Sequence, residues 1–281
     1  MKIEVPIISA FVDGDSGGNP AGVVLHAERF SSAEKQKIAA AVGLSEPAFV
    51  SPSDSADIKL EFFTPTQQIP HCGHATIATF SFLRQKGLLA NDRSSKETID
   101  GLRTVNTEGE AAYMEQKGPR FEPLDENDLH TALLSLGITA EDLIEGAEPM
   151  LVNTGNSFVM LGIRDSETIK SLEPDFSLIE KLSEALDLIG LYVFSLDGVG
   201  AGRDAGARMF APRYGILEES ATGMAAGPLA CYLRGQLGMQ WQEFTIEQGR
   251  WMATPSPSVI NVRLTIGSDD RIENLFAGGR G

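Results

Sequence analysis

The sequence predicts an α/β fold made of two related units. Three observations carry that expectation. Short segments rich in Val, Ile and Phe alternate with amphipathic helical stretches. A set of landmarks is written twice along the chain in the same order. At 281 residues the chain is also long for a single core, and the length prior favours two domains.

The elements follow in order. "ISAFVDG" and "AGVVLHA" read as strands on either side of the turn-forming "DSGGNP". In "SSAEKQKIAAAVG" Ser31 stands three residues before Glu34, the spacing of a capping box, and Gly43 supplies the stop, so a helix is expected between them. "PAFV" and "IKLEFF" return to strand character. "HATIATFSFLRQKG" places Ile77, Phe80 and Leu83 at helical intervals and ends on Gly87. That helix begins directly behind Cys72, Gly73 and His74. The polar stretch 88–104 reads as a loop before a short strand at "AAYME". "QKGPRFEPLDEND", with two prolines and mixed charge, reads as an inter-domain linker. It divides the chain into lobes 1–118 and 119–281, with the C-terminal segment free to cross back to the first. Beyond it "DENDLHTALLSLG" is a helix closed by Gly137, "MLVNTGNSFVML" a strand–turn–strand, and "DFSLIEKLSEALDL" an amphipathic helix. "GLYVFSLDG", "ARMFAP" and "FTIEQG" supply strands, and "AAGPLACYLRGQLG" the last helix.

The repetition is specific. "FFTP" followed by "CGHAT" returns as "MFAP" followed by "TGMAA", with Gly73 and Gly223 standing 150 residues apart. "GGNPAGVVL" returns as "TGNSFVML", with Asn19 and Asn156 separated by 137, and "TEG" at 107–109 is echoed by "EQG" at 247–249. Landmarks in one order at similar offsets describe a duplicated α/β unit.

Composition excludes several classes. Hydrophobic residues make up 42% and charged residues 22%, the balance of an ordinary globule. The opening "MKIEVPIISAFVDG" lacks the sustained apolar core of a signal peptide, and no segment approaches the roughly 18 apolar residues of a membrane span. Two cysteines, Cys72 and Cys231, are too few for a disulfide framework, which points to a reducing cytoplasm. The net charge of −16 argues against nucleic acid and leaves room for a local anion pocket.

The stretch "PHCGHAT" holds two of the four histidines and one of the two cysteines. A metal site is disfavoured, because ligands crowded on one tight turn suit a tetrahedral ion badly and no second Cys/His cluster completes the set. "GVGAG" at 198–202 lacks the dinucleotide-loop spacing and runs into a strand. There is no P-loop and no G-x-S-x-G elbow. A mouth for an anion fits better. Each glycine turn opens a helix whose first N–H groups have no intrahelical partner, and these donors together with the helix dipole favour a carboxylate. Gly73 and Gly223 permit close approach of that ligand.

These residues resemble the PhzF family of phenazine biosynthesis-like isomerases, relatives of diaminopimelate epimerase. The matching elements are "AFVDGDSGGNPAGVVL", "GLSEPAFV", "FFTP" with "PHCGHAT", and "RMFAP" with "EESATGMAAGPLACYL", from about residue 10 to residue 234, with a weaker echo in "QG" at 248–249. The resemblance implies an α/β (α+β) fold of two pseudo-symmetric lobes. Each would be a curled, mostly antiparallel sheet or barrel around a central helix, with the active site in the cleft between them. It also implies a homodimer and proton transfer at carbon in a small carboxylated molecule, with no cofactor, no metal and no membrane or nucleic-acid partner.

Carried over by position, the resemblance makes Glu46 the catalytic carboxylate, set between a helix-ending Gly43 and the apolar "PAFV", where partial desolvation raises a carboxyl pKa. His74 and Glu219 join it as catalytic candidates. Asn19, Cys72, Gly73, Thr222, Gly223 and Met224 are the substrate-binding candidates. His74 is read either as a substrate-side hydrogen-bonding group or as a cap of its own helix. Cys72 stands where epimerase relatives carry a thiol, and a helix N-terminus lowers thiol pKa; a packed cysteine is the plainer reading, since Thr222 replaces the second thiol. Arg208 and Asn19 read chiefly as structural hydrogen bonders, and Cys231 as core. Glu219 stands where the family has Asp, Met224 where Ser is common, and Gln68 where an acid is common, which implies a substrate other than the phenazine precursor. The competing readings are a two-base epimerase pairing Glu46 with Cys72 or Glu219, and a binding protein without turnover.

Overall fold

The structure, a computed structural model, describes residues 3–281. The chain divides into two compact units. The first runs to Glu115 and is joined by Gly278–Gly281; the second is Gln116–Ala277.

In the first unit the elements are β1 (Ile7–Ala10), β2 (Asn19–Val24), α1 (Ser32–Val42), β3 (Ala48–Ser51), β4 (Ile58–Phe63), β5 (Gln68–Ile69), α2 (Gly73–Gln85), β6 (Arg93–Thr98), β7 (Gly101–Glu108) and most of β8 (Ala111–Lys117). Helix α1 starts where its capping box predicts: Glu34 N–H donates to Ser31 Oγ, and Ser31 N–H donates to the Glu34 carboxylate at 2.9 Å. It stops at Gly43, whose φ of 70° is the left-handed closure that glycine adopts without penalty. In the sheet, β1 pairs antiparallel with β2, β2 parallel with β3, and β3 antiparallel with β4. Strand β4 then takes a short antiparallel partner, β5, at Phe62–Phe63 and a parallel partner, β6, at Ile58–Lys59. Antiparallel β7 and β8 follow. The sheet is open, not closed into a barrel. The Arg280 carbonyl accepts from the amides of Phe11 and Val12, which ties the C-terminal residues to this unit.

The second unit contains β9 (Arg120–Pro123), α3 (Glu126–Leu136), β10 (Met150–Asn153), β11 (Ser157–Gly162), α4 (Ser166–Ser171), α5 (Phe176–Ala185), β12 (Gly190–Ser195), β13 (Ala205–Ala211), β14 (Ile216–Glu219), α6 (Gly223–Gly235), β15 (Glu243–Gln248), β16 (Ser258–Ile266) and most of β17 (Ile272–Arg280). Its pairings repeat those of the first: β10 antiparallel to β11, β11 parallel to β12, and β12 antiparallel to β13. Strand β13 takes antiparallel β14 near Met209–Ala211 and parallel β15 at Ala205–Ala207, and β16 runs antiparallel to β15. The duplication is therefore one of topology. Helices α2 and α6, each 13 residues long, stand in the same place in each copy.

One landmark pair is not equivalent. "TEG" closes β7, whereas "EQG" closes β15, whose counterpart is β6. Their similarity reflects only that strands often end on glycine.

The central helices explain why each unit holds together. From Gly73 to Leu83 every residue of α2 is buried, against β1, β2, β3 and β7. Helix α6 is buried from Ala225 to Arg234, against β10, β11 and β16. A helix packed on all sides carries small and apolar residues all round instead of a single stripe. Outer helices are different: α3 and α5 contribute Leu133, Leu136, Ile179 and Leu182 to a core with Val159, Leu191 and Phe210, and expose their other faces.

Two segments depart from the sequence expectation. The polar stretch 88–104 is largely the β6–β7 hairpin, with Arg93 opposite Asn106 and Thr98 opposite Gly101. Its inward side chains are Ser94, Lys96 and Thr98, so the apolar alternation that marks a strand is missing. The expected linker contains β9, whose Phe121 lies opposite Val152; its flanking prolines read as breakers, yet a strand end tolerates them.

The contrast between central and outer helices gives a direct expectation. Phe80→Ala, at a fully buried position of α2, costs about 3–5 kcal/mol in urea unfolding. Leu134→Ala, 56% exposed on α3, costs under about 0.5 kcal/mol by the same measurement.

Candidate active site

The turn His71–His74 ends the approach to α2 and sets three reactive side chains together. Glu46 follows the Gly43 helix stop and is only 6% exposed. Its Oε2 lies 3.5 Å from His74 Nε2. On the other edge of the same imidazole, Nδ1 lies 3.6 Å from Cys72 Sγ. The order is thiol, imidazole, carboxylate, all buried.

The ligand atoms of these three groups lie within 4.8 Å of one another, which on distance alone suits a metal ion. The ring presents one nitrogen to the sulfur and the other to the carboxylate.

Burial pushes the Cys72 thiol pKa up; His74 opposes this and the Glu46 charge adds to it. That direction goes with a packed, protonated cysteine more than with a thiolate, because desolvation outweighs the pull of the helix end. His71 is held well below the usual imidazole range, first by burial and then by Lys96 and Arg103.

No side chain caps the N-terminus of α2. Instead the turn is fixed from inside. Thr76 Oγ1 donates to the Cys72 carbonyl at 2.6 Å and accepts from Lys96 Nζ at 2.6 Å. Thr76 and Lys96 are both fully buried. Burial lowers the Lys96 pKa to about 7.

In the second unit Thr222, Gly223 and Met224 open α6 in the same way, again with no side-chain cap. Here Gln248 fixes the turn. Its Oε1 accepts from Thr222 N–H at 3.0 Å and from Tyr192 OH at 2.9 Å, and its Nε2 donates to the Glu219 carbonyl at 2.7 Å. Thr222 Oγ1 donates to the Glu219 carboxylate at 2.6 Å. Burial pushes the Tyr192 phenol pKa upward, so it stays a donor. Gly249, at φ 79°, admits no substitute: a Cβ there would stand 2.2 Å from the Ser256 carbonyl oxygen and 2.7 Å from that of Ser220. Met224 Sδ accepts a weak bond from Asn156 Nδ2 at 3.5 Å.

The chain matches the PhzC-PhzF family, described as phenazine biosynthesis-like protein, over residues 8–281. The chain belongs to that family. Among its relatives, the uncharacterized isomerase YddE of Salmonella typhimurium is 30% identical over 100% of this chain and 96% of its own. Trans-2,3-dihydro-3-hydroxyanthranilate isomerase of Pseudomonas chlororaphis is 32% identical over 89% of this chain and 87% of its own. The crystal structure of the PhzF-family protein of Bacillus anthracis superposes with a TM-score of 0.90 at 26% identity, covering 100% of this chain and 96% of the other. This PhzF-family chain is accordingly an enzyme of the isomerase class.

Of the residues named from the sequence of this family member, the structure gathers Glu46, Cys72, Gly73 and His74 in the first unit, and Glu219, Thr222, Gly223 and Met224 in the second. Asn19 is buried at the start of β2. Arg208 is structural: it forms a two-point ion pair with Glu218 and donates to the carbonyls of Ile169 and Leu172. Sequence reasoning misses Thr76, Lys96, Gln248 and Tyr192. Lys96 sits in a segment with no apolar pattern, and Gln248 is visible only through "QG".

A buried lysine has a measurable cost. Its folded pKa is lowered from 10.5 to about 7, so between those values the unfolded chain binds the extra proton and stability rises with pH. The penalty is fully present below pH 7. Lys96→Met is therefore expected to be more stable than wild type at pH 6, by as much as about 5 kcal/mol. The gain fades as pH rises towards 10, as followed by denaturant unfolding across that range. In the second unit, Gly249→Ala is expected to lower stability by about 2 kcal/mol or more by the same method.

Proposed function

We propose that this protein is a cofactor-independent isomerase that moves a proton at carbon in a small carboxylated substrate, with Glu46 as the acid/base. The observation that supports it most is the buried Glu46 carboxylate 3.5 Å from His74 Nε2 at the uncapped start of α2.

The chemistry follows from the donor set. A thiol kept protonated gives its S–H to Nδ1, so the neutral imidazole carries its own proton on Nε2 and donates to Glu46. That bond holds the carboxylate beside the substrate. The amides of Gly73 and His74 meet the substrate carboxylate, with the helix dipole behind them. Glu46 then takes a proton from an adjacent carbon and returns it to another, while the same donors stabilise the negative charge that develops between the two transfers. One carboxylate serving both steps needs no second base.

The substrate is expected to be a carboxylate, as is the one named for the Pseudomonas relative. Departures at Gln68, Glu219 and Met224 make a different compound the better expectation. A carboxylated molecule in the cytoplasm and a homodimeric enzyme complete the proposal.

Incubation in D₂O tests it, with trans-2,3-dihydro-3-hydroxyanthranilate as the first trial substrate and small amino and hydroxy acids after it. Wild type is expected to place deuterium at carbon, and Glu46→Gln to slow this by about 10²–10⁴-fold. Undiminished exchange in the Gln variant removes Glu46 as the base. Inversion at the labelled carbon assigns two-base epimerisation instead.

A further inference from the structure

Lys96 is the most completely buried charged side chain among the described residues, at 0% exposure. Other buried cations have carboxylate partners: Lys35 pairs with Glu61, Arg208 with Glu218, and Arg234 with Asp270 at 2.5 Å. The Lys96 ammonium has the Thr76 hydroxyl at 2.6 Å and the Phe62 ring at 5.4 Å. The charged or titratable groups around it are Cys72 at the head of α2, His71 before it, Arg103 on β7 and Asp100 in the β6–β7 turn. Cys72 in turn stands 3.6 Å from the His74 ring, whose other nitrogen is 3.5 Å from Glu46.

The second unit shows that the fold does not require a cation here. Lys96 is the ladder partner of Ile58 on β4. Aligned on the strand ends "FFTP" and "MFAP", Ile58 corresponds to Ala205 on β13, whose ladder partner is Ile246. Ile246 therefore stands where the first copy has Lys96. Thr76, three residues after Gly73, corresponds to Ala226, three after Gly223. Ala226 and Ile246 are both fully buried. The same scaffold thus packs an apolar pair in one copy and a hydroxyl–ammonium pair in the other, only the latter beside the Glu46–His74–Cys72 cluster.

A desolvated cation without an acidic partner costs stability unless an anion arrives. We propose that Lys96 is a positioning residue for the substrate carboxylate: its ammonium, behind the first turn of α2, is the counter-charge that the bound anion completes, and its bond to Thr76 holds that turn in place. This rests on the reading that the start of α2 takes a carboxylate. The sign of the coupling is fixed. An anion at the turn favours the protonated lysine, so binding takes up a proton above neutral pH and weakens as pH rises.

Benzoate and its uncharged counterpart benzamide are suitable probes, with the amide NMR signals of Gly73, His74 and Ala75 reporting the place and titration reporting affinity. In wild type, benzoate is expected to move those signals and to bind about ten-fold more weakly at pH 9 than at pH 6.5. Lys96→Met should bind benzoate about ten-fold more weakly at pH 6.5, with the pH dependence gone. His71→Asn should keep it, and benzamide should show none. The double variant Thr76→Ala with Lys96→Ile, which copies the apolar pair of the second unit, should behave as Lys96→Met and covers the case in which the single variant fails to fold. If benzoate leaves those amides unmoved, the carboxylate reading fails and this inference with it. If it moves them but the lysine variants match wild type at both pH values, the role of Lys96 alone is overturned.

Discussion

The hydrogen bond from Thr76 Oγ1 to the Cys72 carbonyl, 2.6 Å long, is the constraint on which the site depends. Helix α2 is enclosed by its sheet, so the Cys72 carbonyl at its head must find its partners within the protein. Thr76 supplies one from inside the helix itself. With that carbonyl fixed, the Cys72–His74 segment has one direction to run, and the imidazole falls between the thiol and Glu46. The carboxylate reaches this place because Gly43 ends α1 in a left-handed conformation and leaves only four residues before β3 buries the chain again. Two local backbone devices, a glycine stop and a threonine latch, therefore set a distance between side chains far apart in sequence.

Comparison of the two copies separates what the fold needs from what the chemistry needs. Both use the same order of strand pairing and a central helix of equal length opened by glycine. They differ in how the opening turn is secured. In the first copy the groups beneath it are Thr76 and Lys96; in the second a neutral amide, Gln248, secures it from the end of β15 with Tyr192 behind it. A neutral amide that meets every donor and acceptor around it carries little electrostatic cost. A lone ammonium does not share that advantage, and it stands beside the more reactive cluster. Duplication preserved the backbone and let the polar interior diverge.

What is legible in the sequence follows from the same distinction. Signals that act over a few residues are clear: the Ser31–Glu34 capping box, the Gly43 and Gly137 stops, and the glycine turn ahead of α2. The repeat of "FFTP" and "CGHAT" reveals the duplication because both copies must close a strand and open a buried helix within a few residues. Glu46 emerges through family resemblance, since nothing local marks one glutamate among many. The β6–β7 hairpin stays hidden because its inward face is Ser94, Lys96 and Thr98, and a polar interior erases the period-two pattern that reveals strands. Gln248 and Tyr192 act through contacts 26 and 56 residues apart in sequence, a spacing that no local motif encodes. The residues that escape the sequence are those whose meaning is set by tertiary burial.

On the proposed function, the overall charge of −16 sharpens the electrostatic problem of holding a carboxylate. Surface carboxylates repel an approaching anion, but at physiological salt their influence decays over about 8 Å. Inside the protein there is far less screening, so a few oriented donors outweigh many distant charges. Amide groups at the start of α2 offer such donors without carrying net charge, and they are held by the helix whether or not a ligand is present. A buried ammonium adds a full charge, at a cost in stability set by its own desolvation. Under that proposal the arrangement would concentrate attraction at one turn while the net charge stays acidic, separating the demand for solubility from the demand for recognition.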